Sequence, residues 1–307
     1  MYYKTTLFRF VLVFFILGEF SCSEKENFKD TKSMPSNPSK VAYAGVRSSH
    51  YGIKPFPDSE GWKNAMLKMS SYFKGSTPCA IWIVGELEDR HGCRLFFPSD
   101  GKSYDHIVFT QEDVHDTFLT YFDQTGIKVF LQVEPGNADV ETLIDLVLGR
   151  YKHHASVIGF GIDVEWHRES EKRGWGIPVK DNEAKAWELR VKQHNPDYKL
   201  FLKHWDRNWM PSHYRGDIIF ISDSQELAGL DAMVDEFSNY WADYFKPNPV
   251  YFQIGYRSDR SWWKDLVTPP KNIGDAINDK VEQETGIFWV DFTLREVLPT
   301  SSSDSIN

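Results

Sequence analysis

The residues Val157–His167, reading VIGFGIDVEWH, hold the densest concentration of potential chemistry in the chain. An apolar run ends by alternating Asp163, Glu165 and His167 with Val164 and Trp166. Alternate side chains of a strand share a face, so the three polar groups are expected to point the same way. The apolar run before them suits a strand buried on both faces. Ionisable groups are seldom buried without a partner or a task. Carboxyls held close together in a poorly solvated place push at least one pKa upward, which keeps a carboxylic acid protonated long enough to donate its proton.

Such acids need a scaffold that gathers strand ends. From residue 41 onward, short β-rich runs alternate with amphipathic helical ones, as in βα units around a parallel sheet. Eight strands are predicted: Val41–Ser48, Cys79–Leu87, Lys128–Glu134, Val157–Trp166, Lys199–His204, Ile218–Asp223, Val250–Tyr256 and Gly286–Asp291. Helical spacing is clearest for Val140, Leu143, Ile144, Val147 and Leu148, and for Leu230, Met233, Val234, Phe237, Trp241 and Tyr244. Arg207–Gly216 is too short for a full helix, and after Leu298 the chain runs into Pro299 and a Ser/Asp tail. The predicted fold is α/β, a (β/α)8 TIM barrel over residues 41–299 with a thinned outer helix ring. An open doubly wound sheet is the competitor. It would want a Gly-rich phosphate loop after strand one, where Ser48-Ser49-His50-Tyr51-Gly52 stands. No cofactor is expected.

A barrel of this kind carries its chemistry at the C-terminal ends of its strands. Those ends would gather Glu86 and Glu88, Glu134, the Asp163/Glu165/His167 set, His204 and Asp206, Asp223, Tyr256 and Arg257, and Asp291. Trp166, Trp175, Trp205, Trp209, Trp262, Trp263 and Trp289 fall in or just after the same ends. Tryptophan faces cover the apolar faces of sugar rings while the ring hydroxyls bond to carboxylates and amides, so a glycan is the expected ligand. Paired acids suit glycosidic bond cleavage. Each piece also has a plainer account: Glu86 and Glu88 as a solvated rim, Glu134 turned outward by Pro135-Gly136, His204 as a hydrogen-bonded rim residue, and Asp163 and Glu165 in a salt bridge to Lys203 or Arg257.

With these residues in hand, the chain resembles the family 18 glycoside hydrolases, the chitinase-like barrels. Their strand-four signature DxxDxDxE aligns with Phe160-Gly161-Ile162-Asp163-Val164-Glu165-Trp166-His167. Lys128-Val129-Phe130-Leu131, Phe220-Ile221-Ser222-Asp223 and Gly286-Ile287-Phe288-Trp289 resemble that family's strands three, six and eight. The signature's last acid, the family's proton donor, is replaced by His167, its first Asp by Phe160, and the Tyr of strand six by Ser222. Asp163 and Asp223 match, and Glu165 stands for an Asp. Asp163-Val164-Glu165 is also similar to the Asp-x-Glu pair of the family 25 lysozymes, whose Glu donates the proton. Ser49-His50-Tyr51 is similar to that family's first strand, without the Asp expected just before it.

Both resemblances imply a glycoside hydrolase; the family 25 pair implies Glu165 as general acid, and within the family 18 pattern Glu165, one carbon longer than the Asp it replaces, is expected to reach the scissile oxygen itself, with Asp163 and Asp223 assisting. Expected substrate contacts are Trp289 as the floor of the subsite, His167, Glu134, Tyr256, Trp205 and Asp291. The substrate class implied is an amino-sugar-containing polysaccharide or an N-glycan. One alternative is a former hydrolase that binds glycan without turnover, its lost acid at His167. Another is a divalent-metal hydrolase using His167, His204 and nearby carboxylates, although no HxH or HExxH spacing occurs.

The chain has 307 residues, 41% hydrophobic and 15% aromatic, enough for one large core. Its net charge of −9 argues against nucleic acid as a partner. Lys4 and Arg9, the apolar run Phe10–Leu17, and Gly18, Ser21 and Cys22 read as an export signal over residues 1–21, too short to span a bilayer comfortably. Cys22 stands where a bacterial lipoprotein signal places its lipidated cysteine, although Glu19 departs from the aliphatic residue normal there. Residues 22–40 would then be a tether and 300–307 a tail. The expected address is a lipid-anchored protein facing the periplasm or cell surface, with plain secretion as the alternative. Cys79 and Cys93 are expected as free buried thiols, since bridging them would fold a loop back along its own strand.

Overall fold

The computed structural model describes residues 40–88, 91–168 and 175–298. The expected signal, Cys22, the tether up to residue 39 and the tail lie outside the described residues. Ten strands follow one another along the chain: β1 (Val41–Ser48), β2 (Thr77–Glu88), β3 (Gly92–Leu95), β4 (Ile107–Phe109), β5 (Lys128–Val133), β6 (Val157–Asp163), β7 (Lys199–Lys203), β8 (Ile218–Ser222), β9 (Val250–Ile254) and β10 (Thr285–Val290). Eight of them, β1-β2-β5-β6-β7-β8-β9-β10, pair in parallel, and β10 pairs with β1 to close the ring. This is the (β/α)8 barrel that the alternating pattern predicts.

Closure gives each strand two buried faces. Val129, Leu131, Leu200, Leu202, Ile218, Phe220, Val250 and Phe252 join the layer between strands and helices. Their alternate neighbours Phe130, Phe201, Ile219, Ile221, Tyr251 and Phe288, with Cys79 and Ile81, fill the barrel interior. That interior floor is tightly packed: Phe130 meets Phe201 at 5.9 Å and Tyr251 at 6.3 Å between ring centroids. Cys79 and Cys93 are buried and unbridged.

The outer ring is uneven, as expected. Helix α1 (Ser59–Ser70) starts where Asp58 accepts from the Gly61 N–H at 2.7 Å, and α3 (Val140–Tyr151) where Asp139 accepts from the Thr142 N–H at 2.8 Å; such caps satisfy otherwise orphaned donors. Between these two lies α2 (Asp116–Thr125), and α4 (Asp181–His194) follows β6. Then α5 (Leu230–Asp235) runs through a π-helical segment (Glu236–Ala242) into α6 (Asp243–Phe245). After β9 come α7 (Arg260–Trp263) and α8 (Pro269–Asn278). The connection from β7 to β8 carries no helix beyond a 3-10 turn, Arg207–Trp209, and α9 (Leu294–Val297) is a single turn.

Two features depart from expectation. The strand predicted to run to Trp166 stops at Asp163, and Val164–Trp166 form a 3-10 turn. Strand β2, in addition, continues beyond its last partner on β5, where Gly85 meets Val133, and folds back on itself as β3, antiparallel from Gly85↔Leu95 to Glu88↔Gly92, with β4 paired outside β3.

Gly161 on β6 has no room for a side chain, because a Cβ there would overlap the Phe201 ring. Gly161→Ala is expected to cost about 1–3 kcal/mol, the usual range for overpacking, measured by denaturant unfolding. A change within about 0.5 kcal/mol, ordinary for an unconstrained surface site, would contradict this packing.

Candidate active site

The alternation that puts Phe201 inside the barrel puts Lys203 there too, two residues on. Asp163 is its register partner on β6. The Lys203 ammonium, 3% exposed, lies 3.0 Å from Asp163 Oδ2 and 3.0 Å from Glu165 Oε1, and bonds Asp223 Oδ2 most closely of all. Asp163 follows from β6, Glu165 from its 3-10 turn, and Asp223 from the end of β8, so one lysine ties together three strand exits. Gln132 donates to Asp163 Oδ2 at 3.3 Å. The single Tyr256 hydroxyl proton goes to Gln253 Oε1 at 3.1 Å or to Asp223 Oδ2 at 3.4 Å.

One ammonium cannot balance three neighbouring carboxylates, so the set must retain a proton. Burial, and then the charges of Asp223 and Glu134, push Asp163 up to about 7 against the pull of Lys203. Burial and then Asp223 hold Glu165 well above the usual carboxylate range. Asp223 goes the other way: despite its burial, Lys203 and a hydrogen bond from Glu165 keep it below that range. Of the three, Glu165 is the group that most favours holding that proton, with Asp223 as its acceptor. Accessibility separates the same groups, since the side chains of Asp163 and Asp223 are 1% and 4% exposed and that of Glu165 is 17% exposed. The salt bridge considered as the plainer account thus exists, through Lys203 and not Arg257, which donates to the Phe292 carbonyl. It encloses the two aspartates and leaves Glu165 open.

A second charged group stands across the bowl. Arg47, inward on β1, lies 3.5 Å from Asp291 and donates to the Tyr51 hydroxyl at 2.5 Å, and Tyr51 in turn donates to Glu134 at 2.5 Å. The guanidinium sits over the rings of Tyr51 and Phe292, at 5.1 and 5.2 Å. Glu134 also accepts from the Leu87 N–H, and Asp291 from the Ser49 N–H at 2.8 Å. Burial, and then Glu134, push Glu86 up to about 7, while it accepts from the His50 N–H. Within the bowl, Asp163 Oδ1, Asp223 Oδ1 and Gln132 Oε1 are buried and accept no hydrogen bond from the described residues, and buried Gln253 Nε2 donates none to them.

Of the residues expected here, the structure brings together Asp163, Glu165, Asp223, Tyr256, Glu134 and Asp291. Asp291 is enclosed by Arg47 and Ser49. Trp205 stands at the rim, half-buried, 4.5 Å from Trp175. Two expected contacts lie elsewhere. Trp289 faces out of the barrel, because Phe288 takes the inward position; its indole donates to Thr293 at 2.9 Å and packs against Trp263 at 5.2 Å, so it is no subsite floor. His167 leaves the carboxylate face because the 3-10 turn breaks the strand's alternation. Its ring meets Trp187 of α4 at 5.1 Å and lines a cavity of about 540 Å³ containing neither Glu165 nor its partners. Burial lowers its pKa to about 4. His204 is also no metal ligand: its Nδ1 accepts from the Asp206 N–H, which leaves Nε2–H to donate to the Trp175 carbonyl. Arg47, Tyr51, Gln132 and Gln253 were not singled out from the sequence as site residues, although counting inward positions from Tyr43, Phe130 and Tyr251 reaches three of them.

Comparison with known proteins bears on the fold. No protein-family model matches the sequence, and no curated protein matches it. Among solved structures, the chain is similar to an endo-1,4-beta-mannanase from Eisenia fetida, with a TM-score of 0.51 and 11% identity over 83% of this chain and 85% of that one. It shares its barrel fold with that mannanase. Looser likenesses include a putative alpha-L-fucosidase from Bacteroides thetaiotaomicron, at TM-score 0.49 and 12% identity over 85% and 91% of the two chains. An intracellular xylanase from Thermoanaerobacterium saccharolyticum follows at 0.44 and 11%, over 85% and 90%. At these identities the likeness is one of architecture.

Removing the ammonium strands its acids. Lys203→Met is expected to destabilise the protein by about 3–5 kcal/mol at pH 7, as breaking a buried ion pair does. The depressed pKa of Asp223 contributes stability that is present above its unfolded value and lost as pH falls through the folded one, so the deficit should shrink in acid. Denaturant unfolding at pH 7 and again below pH 3.8, the ordinary aspartate value, measures both; an equal deficit at the two pH values would contradict the assignment.

Proposed function

We propose that this protein is an exported glycoside hydrolase, lipid-anchored at Cys22, in which Glu165 is the general acid. The observation that carries the reading is the division of labour around Lys203: of its three carboxyl partners, Glu165 alone combines an accessible side chain with a pKa held well above the usual carboxylate range. Asp163 and Asp223 do not touch substrate. They are positioning residues that keep the proton on Glu165 and fix its direction. Substrate oxygen would displace Asp223 as the acceptor, and the proton would pass from Glu165 to the leaving group as the glycosidic bond breaks; water then bonds the anomeric carbon, and the proton it releases restores Glu165.

The surroundings support a glycan. Tyr51 and Phe292 stack at 6.0 Å on one side of the mouth and Trp175 with Trp205 stand on the other, and aromatic faces of this kind cover sugar rings. Arg47 and Lys203 face Glu86, Glu134, Asp163, Glu165, Asp223 and Asp291. That acidic excess disfavours uronic acids and suits neutral or amino sugars, in keeping with the family 18 and family 25 resemblances. The replacement of family 18's proton donor by His167 is answered by Glu165, which takes over the donor role.

A second reading rests on the same lysine. Because Lys203 occupies both aspartates, the barrel could bind glycan without cleaving it. Calorimetry with chitin, peptidoglycan and N-glycan fragments, run beside an assay for reducing-end release, separates the two: binding without release would favour the second.

Glu165→Gln keeps the side chain's size and removes its proton. Turnover is expected to fall by about 10²–10⁴-fold, the usual worth of general acid catalysis, with glycan binding retained; undiminished hydrolysis would overturn the assignment. Wild-type kcat should hold at acid pH and fall as pH rises through the elevated pKa of Glu165, because only the protonated form donates. A profile that instead rises with pH over that range would contradict it.

A further inference from the structure

Outside the barrel mouth, a second constellation sits in the helix layer. His153 and His154 follow α3, and Asp116 opens α2. One ligand-type atom from each lies within 4.8 Å of the others. His154 is 3% exposed at its side chain, and its ring lies 4.1 Å from that of His153.

The hydrogen bonds fix which nitrogens are available. His153 Nδ1 faces the Arg150 carbonyl at 2.9 Å, and a carbonyl only accepts, so that nitrogen carries the hydrogen. His154 Nδ1 faces Asp123 Oδ2 at 2.8 Å. Asp123 already acts as an acceptor there, taking the Ser156 N–H on its other oxygen at 2.7 Å. His154 Nδ1 therefore carries a hydrogen as well. In the neutral rings both Nε2 atoms are lone-pair donors, and that of buried His154 points at Asp116 Oδ1, 3.4 Å away. Two electron-pair donors facing each other repel unless a proton or a metal ion lies between them. The spacing suits the latter: a tetrahedral ion with ligands at about 2.1 Å places neighbouring ligand atoms about 3.4 Å apart.

We propose that His153 Nε2, His154 Nε2 and an Asp116 carboxylate oxygen bind a divalent first-row metal ion, zinc foremost. Asp123 and the Arg150 carbonyl supply the outer-shell acceptors that orient the two imidazoles, an arrangement general to metal-bound histidine. Imidazole and carboxylate are ligands zinc accepts. Because His153 and Asp116 are exposed, the fourth position is left to water. The ion would pin the first turn of α2 to the turn after α3, and so act as a clamp on the outer ring.

The test is calorimetric titration of zinc into the full chain without an affinity tag, with cobalt absorption as a second readout. One zinc per chain is expected, with a rise in the thermal unfolding midpoint and a tetrahedral cobalt spectrum. His153→Ala and Asp116→Asn, both at exposed positions, should each weaken zinc by more than about 100-fold, beyond the range for losing an outer-shell partner. His213→Ala, at an exposed histidine elsewhere, should leave binding unchanged. Absence of saturable zinc binding, or equal affinity in the wild type and His153→Ala, would overturn the site.

Discussion

The ammonium of Lys203 is the constraint on which the centre of this molecule depends. A parallel barrel buries the inward side chains of all its strands, so any acid placed there loses its water. Asp163 and Asp223 tolerate that loss because a cation sits between them, and Glu165 tolerates it by favouring its neutral form. The lysine is itself buried, and its charge survives only because the surrounding carboxylates outweigh the cost of its desolvation. Each group makes the others possible. The result is not symmetric, since a single positive charge shared among three acids leaves one of them protonated and sets the chemical character of the bowl.

The barrel supplies this arrangement through alternation alone. Apolar inward residues such as Phe130, Phe201, Ile221 and Tyr251 form a floor, and the next inward positions along the same strands are Gln132, Lys203, Asp223 and Gln253. Polar groups thus begin where the apolar packing stops, at one level around the ring. Arg47 belongs to that level from β1, and its pairing with Asp291 ties the first strand to the last where the barrel closes. Its guanidinium in turn sits over the rings of Tyr51 and Phe292.

Most of the architecture was legible in the sequence because it follows from hydrophobic period. The eight barrel strands sit within a few residues of the predicted runs, and the weak segments, Arg207–Gly216 and the end of the chain, are where the helix ring is thin. The candidate site was legible to the extent that it lies on strands: Asp163 and Asp223 follow the alternation and meet. What failed depended on single-residue phase. A three-residue 3-10 turn after Asp163 carried His167 to the outer side, and Trp289 lay one residue out of step with inward-facing Phe288. Lys203 was visible as a possible partner for Asp163 and Glu165, but its bond to Asp223 joins separate strands and no local pattern encodes it. The β3–β4 extension escaped notice because its strands are short and lie among polar residues.

That extension breaks the eightfold repeat of the barrel on one flank. Strand β2 runs past its last partner on β5 and carries β3 and β4 with it, whereas the connection from β7 to β8 holds no regular element beyond a 3-10 turn. The added sheet gives that flank a wall that the repeat of strand and helix does not supply by itself.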